Sequence, residues 1–148
     1  MAAAFRRVLV GFDGSPDACE ALKAAVAIAG RDGGHVVALS VLRHAPSHEE
    51  NEIQDGESGE LRKLAEASFD KLRRGPQPTG GVRMSIQVVF SDRESAAQVV
   101  SSYAAEHGFD MLVLGRHGDG VRPRSRLGRV ADAAAHACSV PVLLLSAP

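Results

Sequence analysis

The sequence predicts an α/β protein in which a parallel β-sheet is covered by helices on both faces. Five apolar segments typical of strands alternate with helical patterns, and they lie at residues 7–12, 35–42, 82–90, 109–114 and 140–145. The segment 35–42, HVVALSVL, is apolar at nearly every position, as expected of a parallel strand buried on both sides. Because strands that alternate with helices form parallel sheets, the order βαβαβαβαβ indicates this fold class.

The composition fits one globular domain spanning residues 1–148. Hydrophobic residues make up 45% of the chain, charged residues make up 24%, and the net charge is -1. The lack of a basic excess argues against nucleic acid or a membrane surface as a partner, and no apolar run approaches the ~18 residues of a membrane span. The first residues lead into an apolar strand without a signal-peptide pattern, so we expect a cytoplasmic protein.

The first helix is predicted to follow the turn Asp13-Gly14-Ser15-Pro16. Ser15 is a good N-cap residue, and Pro16 suits the first helical position because the N–H it lacks would be unpaired there anyway. The alanine-rich pattern that follows is predicted to end at Gly30.

The middle of the chain is predicted to hold an acidic loop, a helix and an edge strand. Residues 45–60 carry six acidic side chains and no Lys or Arg, which favours a flexible loop and helix start over a specific cation site. An apolar stripe over 61–72 predicts the following helix. Alternating apolar and polar residues in 82–90 indicate an edge strand with one wetter face. The next helix is predicted to begin at a capping box from Ser91 to Glu94.

The last strand, 140–145, predicts a homodimer contact. Pro141 suits an edge position because proline cannot donate to the hydrogen-bond ladder. The other residues are apolar, and an exposed apolar edge invites aggregation unless it is covered. The same strand of a second copy would cover it, and the alternative is cover by the protein's own helices. The residues predicted at the dimer contact are Val140, Val142, Leu143 and Leu144.

Residues 114–130 have the chemistry expected of a phosphate-binding loop. They join the fourth strand to a helix predicted at 130–138, and they include four glycines and five arginines against one acid. Glycine lets the backbone approach a ligand closely, and a helix start offers unpaired N–H groups and a dipole that favours an anion. A mobile, solvated surface loop is the alternative interpretation.

A second turn, residues 11–15 after the first strand, suits the same site. Ligands of open parallel sheets bind at the carboxyl ends of the strands, where the strand order reverses. If the first and fourth strands are neighbours, Asp13 shares a crevice with the glycine–arginine loop and can accept hydrogen bonds from a ribose or an adenine amino group. The chain has no GxxxxGK[ST] motif, and no strand is followed by GxGxxG.

The spacing Gly115-x2-Gly118-x9-Gly128 resembles the G-x2-G-x9-G-[S/T] pattern of the universal stress protein family. The resemblance covers the whole chain, from VLVGFDGSPDACEAL at 8–22, through FDMLVLGR at 109–116, to CSVPVLL at 138–144. It implies a Rossmann-like, five-stranded sheet of order 3-2-1-4-5, dimers through the last strand, and ATP binding in some members but not in others.

The resemblance also implies a set of positions that would surround the adenosine, the ribose and the phosphates. These positions are Gly11, Phe12, Asp13, Val41, Leu114, Gly115, Arg116, Gly118, Gly128, Arg129 and Val130. Arg129 departs from the pattern, because ATP-binding members have serine or threonine there. It either grips phosphate in place of the lost hydroxyl, as a bidentate guanidinium can, or fills the pocket.

We therefore expect an ATP-binding stress-response protein that acts as a homodimer, with the choice between Mg²⁺ and Mn²⁺ beside the nucleotide left open. Two alternatives remain. One is a nucleotide-free dimeric interaction protein whose pocket Arg129 blocks. The other is a slow ATP hydrolase in which Asp13 orients water or a metal.

Neither a catalytic residue nor a protein metal site is predicted. His44 and His48 are four residues apart, which favours a chance surface pair over a zinc site because no third ligand is evident. His117 lies within the loop and either contacts a ligand or is simply exposed. Cys19 and Cys138 are read as small buried hydrophobes in a reducing compartment.

Overall fold

The fold is a five-stranded parallel sheet in the order β3-β2-β1-β4-β5. The computed structural model describes residues 5–42, 82–118 and 126–148, together with Ala67, Asp70 and Arg74, which are helical. The strands are β1 (Arg7–Gly11), β2 (His35–Leu42), β3 (Arg83–Phe90), β4 (Met111–Gly115) and β5 (Val142–Leu145). The helices with described bounds are α1 (Pro16–Gly30), α2 (Ala96–Glu106) and α3 (Arg129–Ala137). The predicted fold class and strand order are confirmed.

Alternate positions of the strands build a separate hydrophobic core on each face of the sheet. The core under α1 includes Val8, Val10, Ala21, Leu22, Val36 and Val113. The core under α2 and α3 includes Leu9, Val37, Leu39, Val100, Leu112 and Ala134. Burying one Val or Leu side chain stabilises the folded state by about 1.5–3 kcal/mol. The two cores therefore hold the strands in place, and the strand ends can support a site.

Serine caps start both of the longer helices. The Ser15 hydroxyl accepts a hydrogen bond from the Ala18 N–H at 3.2 Å, as the sequence predicts. The capping box predicted at Ser91 is wrong, because α2 is capped by Ser95, whose reciprocal partner is Gln98. The Ser91 hydroxyl instead bonds the backbone of Glu94 in a local turn that precedes the helix.

The two edge strands differ in how their side chains are covered. β3 exposes Arg83 and Gln87, which confirms the predicted wetter face of an edge strand. β5 is the other edge, and each of its apolar side chains is half-buried. The strand begins at Val142 rather than at the predicted Val140. Pro141, which has no N–H, interrupts the ladder, although its carbonyl still accepts from Leu112 at 2.8 Å.

Several predictions fall on residues that are not described. They concern the acidic segment 45–60, the apolar stripe at 61–72, the His44 and His48 pair, and residues 119–125 of the glycine–arginine loop. Within the described ranges, no helix is long and apolar enough to span a membrane. The same ranges contain no cluster of three or more His, Cys, Asp or Glu side chains arranged for a metal ion.

The two cysteines are free and lie on opposite faces of the sheet. Cys19 packs against the core under α1, and Cys138 packs against the core under α2 and α3. Both are half-buried rather than fully buried, so each serves as a small apolar side chain at the margin of a core.

Candidate functional site

A cavity of about 620 Å³ opens at the carboxyl ends of the strands, where β1 lies between β2 and β4. The chain leaves β1 toward β2 on one side and later returns to β4 on the other side, so this is the switch point of the sheet. The structure brings to this cavity all of the predicted site positions, namely Gly11, Phe12, Asp13, Val41, Leu114, Gly115, Arg116, Gly118, Gly128, Arg129 and Val130. We call it the carboxyl-edge cavity.

The turn after β1 and the loop after β4 meet at one wall of the cavity. β1 and β4 are paired neighbours, and Gly14 turns the chain with a φ of 82°. The Asp13 Oδ1 atom accepts a hydrogen bond from the Ser15 N–H at 2.9 Å, which fixes the carboxylate. Its Oδ2 atom would lie only 2.6 Å from a Cβ atom at Gly118. The glycine therefore lets the loop pass directly beside the Asp13 carboxylate.

The end of β4 lies directly against the first turn of α1. A Cβ atom at Gly115 would be 2.7 Å from the Asp17 Cβ and 2.9 Å from the Ala18 backbone nitrogen. Because real Cβ atoms do not approach backbone so closely, only glycine permits this contact. The contact places the loop after β4 over the start of α1.

The backbone of β2 lines the wall opposite the loop. The Leu39 carbonyl accepts from the Phe12 N–H at 2.9 Å, so it points toward β1. The peptide groups of a strand point alternately toward its two neighbouring strands. The N–H and C=O groups of Val41 therefore point to the same side as the Leu39 carbonyl, but β1 ends at Gly11 and does not pair with them. The Ser40 hydroxyl donates to the Phe12 carbonyl at 2.9 Å and holds the turn in place. The cavity thus has one wall of backbone donor and acceptor groups.

The start of α3 borders one end of the cavity. Gly128 is the N-cap residue and has no side chain to satisfy the first helical N–H groups. The first helical bond runs from Asp132 to the Gly128 carbonyl, so the N–H groups of the three residues between them have no partner within the helix. Unpaired N–H groups and the helix dipole together favour a negatively charged group.

Arg129 is an exposed residue at this helix start. Within the described part of the chain, its side chain forms no hydrogen bond or ion pair. The cavity keeps its volume of about 620 Å³ with the arginine present among its lining residues. The arginine therefore borders the cavity without filling it.

Asp17 and His117 form a hydrogen-bonded pair that the sequence patterns do not predict. The Asp17 Oδ2 atom accepts from the His117 N–H at 3.0 Å and lies 3.1 Å from the ring Nδ1 atom. Its Oδ1 atom accepts from the Ala147 N–H at 2.7 Å. Burial opposes ionisation of Asp17, but the hydrogen bonds from Ala147 and His117 outweigh it, so the pKa of this carboxyl lies below its usual value.

Arg116 connects the loop to the segment that follows β5. Its N–H donates to the Leu145 carbonyl at 2.8 Å, and its guanidinium Nη1 atom lies 3.5 Å from the Ser146 hydroxyl. Through Arg116, the loop side of the cavity is therefore connected to β5, an edge strand of the sheet.

Further residues line the cavity beyond the predicted site positions, and the sequence points only to two of them: Ser15, in the predicted turn, and His117, for which a ligand contact is one of two alternatives. They are Ser15, Ala18, Leu39, Ser40, Leu42, Ala96, Val100, His117 and Ala131. Most are neighbours of predicted positions along a strand or helix start. Ala96 and Val100 belong to α2, which no phosphate-binding pattern includes, and only the packing of α2 on the sheet brings them here.

The chain matches one protein family and resembles several solved structures. The model of the universal stress protein family matches residues 4–146. Hypothetical protein MJ0577 has 20% identity and a TM-score of 0.72 over 97% of each chain. A universal stress protein in complex with cAMP has 20% identity and a TM-score of 0.66, over 99% of this chain and 100% of that one.

A universal stress protein from Archaeoglobus fulgidus in complex with dAMP has 17% identity and a TM-score of 0.62, over 97% of this chain and 99% of that one. At these identities the structural likeness shows the fold alone. No curated protein sequence matches the chain.

Proposed function

Because this chain belongs to the universal stress protein family, we propose that it binds an adenine nucleotide, ATP, in the carboxyl-edge cavity and acts in a stress response as a homodimer. One observation carries the proposal: the positions that match the family's nucleotide pattern all line a single cavity at the switch point of the sheet. The solved structures of family members with cAMP and with dAMP support an adenine nucleotide as the class of ligand.

The two ends of the cavity differ in a way that suits a nucleotide. The backbone groups of Val41 can donate to and accept from the edge of an adenine ring. Asp13, fixed by Ser15, can accept hydrogen bonds from ribose hydroxyls. The start of α3 and the glycines of the loop can receive phosphates on backbone N–H groups. A cavity of about 620 Å³ also lies within the range typical of small-molecule and cofactor sites.

Arg129 takes the role of a phosphate ligand in this proposal. Its side chain is exposed, has no partner within the described ranges, and leaves the cavity open. A guanidinium at this position can bind two oxygens of one phosphate, which compensates for the missing Ser or Thr hydroxyl. The open cavity argues against a pocket blocked by Arg129.

The homodimer is proposed to form through β5. The strand is at the edge of the sheet, and Val142, Leu143 and Leu144 are half-buried, which leaves apolar surface for a second copy. Sedimentation of a monomer at micromolar concentration would contradict this part of the proposal. A reducing, cytoplasmic setting suits the free thiols of Cys19 and Cys138.

Ligand release and thermal shift test the nucleotide. Mass spectrometry of ligand released from the purified protein should detect an adenine nucleotide. At a hundredfold excess over its Kd, added ATP should stabilise the protein by about 2.7 kcal/mol and raise Tm by about 5–10 °C. Adenosine, which lacks the phosphates, is the matched control and should give a smaller shift. No bound nucleotide and no shift at millimolar ATP, with and without Mg²⁺ or Mn²⁺, would overturn the proposal.

A further inference from the structure

We propose that Asp17 is a positioning residue for the phosphates of the nucleotide. Its carboxylate orients the peptide unit between Arg116 and His117, and through that peptide it sets the position of the start of α3. The inference rests on the proposed nucleotide site. It goes beyond that proposal by giving a part in phosphate binding to a residue that does not line the carboxyl-edge cavity.

The peptide unit between Arg116 and His117 is hydrogen-bonded at both of its polar groups. Its N–H, which belongs to His117, donates to the Asp17 Oδ2 atom at 3.0 Å. Its carbonyl, which belongs to Arg116, accepts from the Gly128 N–H at 2.7 Å. The N–H and C=O of a trans peptide point in opposite directions within one rigid plane. A single plane therefore connects the carboxylate on α1 to the N-cap residue of α3.

Gly128 also packs closely on this peptide. A Cβ atom at Gly128 would lie 3.1 Å from the Arg116 carbonyl oxygen and 3.3 Å from the His117 Cα atom. The position of Gly128 therefore depends on the orientation of the peptide. Because Gly128 begins α3, a rotation of the peptide would displace the helical N–H groups that are proposed to receive phosphates.

The Asp17 carboxylate is itself held in place. Its Oδ1 atom accepts from the Ala147 N–H at 2.7 Å, which leaves the Oδ2 atom for His117. The side chain is only 13% exposed, so water competes little for its oxygens. A hydrogen bond to a carboxylate is also about twice as strong as one between neutral groups. Asp17 thus presents a strong acceptor at a fixed position.

The charge of Asp17 and its hydrogen bond predict opposite effects of its removal. A carboxylate close to the start of α3 repels phosphates, so its loss would tighten ATP binding if charge alone mattered. Loss of the hydrogen bond would instead release the peptide, displace the N–H groups of α3 and weaken ATP binding. The sign of the change therefore distinguishes a positioning role from a simple effect of charge.

The test measures the Kd of ATP and of adenosine by isothermal titration. Asp17→Ala should weaken ATP binding about tenfold, the loss expected for one hydrogen bond to a charged group. Adenosine, which has no phosphate, should lose little affinity. Asp17→Asn has nearly the same shape and keeps one acceptor oxygen for the His117 N–H, so its affinity for ATP should be intermediate.

Glu20→Ala is the matched control. It removes an acid from the same helix, but the Glu20 carboxylate pairs with Lys23 at 3.1 Å and does not line the cavity. Its affinity for ATP should stay close to that of the unmodified protein. Unchanged or tighter ATP binding by Asp17→Ala would overturn the inference. An equal loss for adenosine would also overturn it, because a general loosening of the fold does not select the phosphates.

A second measurement needs no nucleotide. Amide hydrogen exchange followed by NMR should be faster at Gly128 in Asp17→Ala than in the unmodified protein. Exchange at Phe12, whose N–H is bonded to the Leu39 carbonyl on the far side of β1, should not change. Equal exchange at Gly128 in the two proteins would contradict the inference. Absence of ATP binding by the unmodified protein is a different result, because it would overturn the proposed function itself and the role of Asp17 with it.

Discussion

The two ends of the sheet each hold a histidine, with arginines beside one and a carboxylate beside the other. At the amino ends of the strands, His35 of β2 lies in register between Arg7 of β1 and Arg83 of β3. Burial and then these two arginines lower the pKa of His35, and its Nε2 atom lies 2.7 Å from the Ser85 hydroxyl. At the carboxyl ends, His117 lies instead against the Asp17 carboxylate.

The two ends also differ in how completely their polar groups pair with one another. At the amino end, the Asp110 carboxylate accepts from the N–H groups of Arg6 and Arg7, and the Arg7 guanidinium donates to the His107 carbonyl. At the carboxyl end, the start of α3 has no side-chain cap. The comparison teaches that polar groups at the amino end pair with one another, whereas N–H groups at the start of α3 have no partner within the helix, as the proposed nucleotide site requires.

Gly115→Ala should produce the largest effect, because it breaks the close packing that builds the carboxyl end. The added Cβ would meet the backbone of α1 at 2.9 Å, and backbone cannot rotate away. We expect a loss of about 3 kcal/mol in the free energy of unfolding and a fall in Tm of about 6–12 °C. Differential scanning calorimetry measures both.

Gly30→Ala is the matched control at the amino end. Its Cβ would contact only a methyl group of Val82, at 3.0 Å, and alanine is the better helix former. This variant should change the free energy of unfolding by less than about 1 kcal/mol. Equal destabilisation by both variants would show that the approach of β4 to α1 is no tighter than an ordinary helix contact.

Arg129→Ser tests whether Arg129, at the carboxyl end of the sheet, binds a phosphate of the nucleotide. Removing a guanidinium that binds phosphate should weaken ATP binding about tenfold and make binding less sensitive to salt, because one charge contact is lost. Isothermal titration at two salt concentrations measures both effects. Arg83→Ser, at the amino end, should leave ATP affinity unchanged. Tighter binding by Arg129→Ser would mean that the arginine obstructs the cavity.

The smallest expected effect is the pH dependence of stability at His35. The pKa of His35 in the folded protein lies below the usual imidazole value of about 6.5, so the unfolded chain binds the proton more readily. Stability from this residue is therefore present above pH 6.5 and is lost as the pH falls below that value toward the folded pKa. Chemical denaturation at several pH values should show a shallower acid loss in His35→Gln than in the unmodified protein. Matching slopes in the two proteins would contradict this assignment.

Local patterns predict the fold well, because each element depends on residues close together in the sequence. The apolar strands, the Ser15 cap and the wetter face of β3 all follow from spacings of a few residues. The wrong prediction of a helix cap at Ser91 also comes from a pattern of a few residues. Ser91 with Glu94 and Ser95 with Gln98 both fit the capping pattern, and only the packed helix decides between them.

The site is predictable only where its residues carry a motif. The glycine spacing identifies the loop, and the parallel order brings the turn at Asp13 beside it. The Asp17 contact with His117 joins positions 100 residues apart and leaves no periodic signal in the sequence. The tie from Asp17 to Ala147 spans 130 residues. Such contacts exist only once the sheet has assembled.

The backbone wall at Val41 has a consequence for how such a site changes over evolution. Substitution of the Val41 side chain leaves its N–H and C=O in place, so the proposed recognition surface survives many point mutations. Insertion or deletion of one residue in β2 would instead turn those groups toward β3, because peptide direction alternates along a strand. We expect strand length, rather than residue identity, to be the inherited property on which recognition at this wall depends.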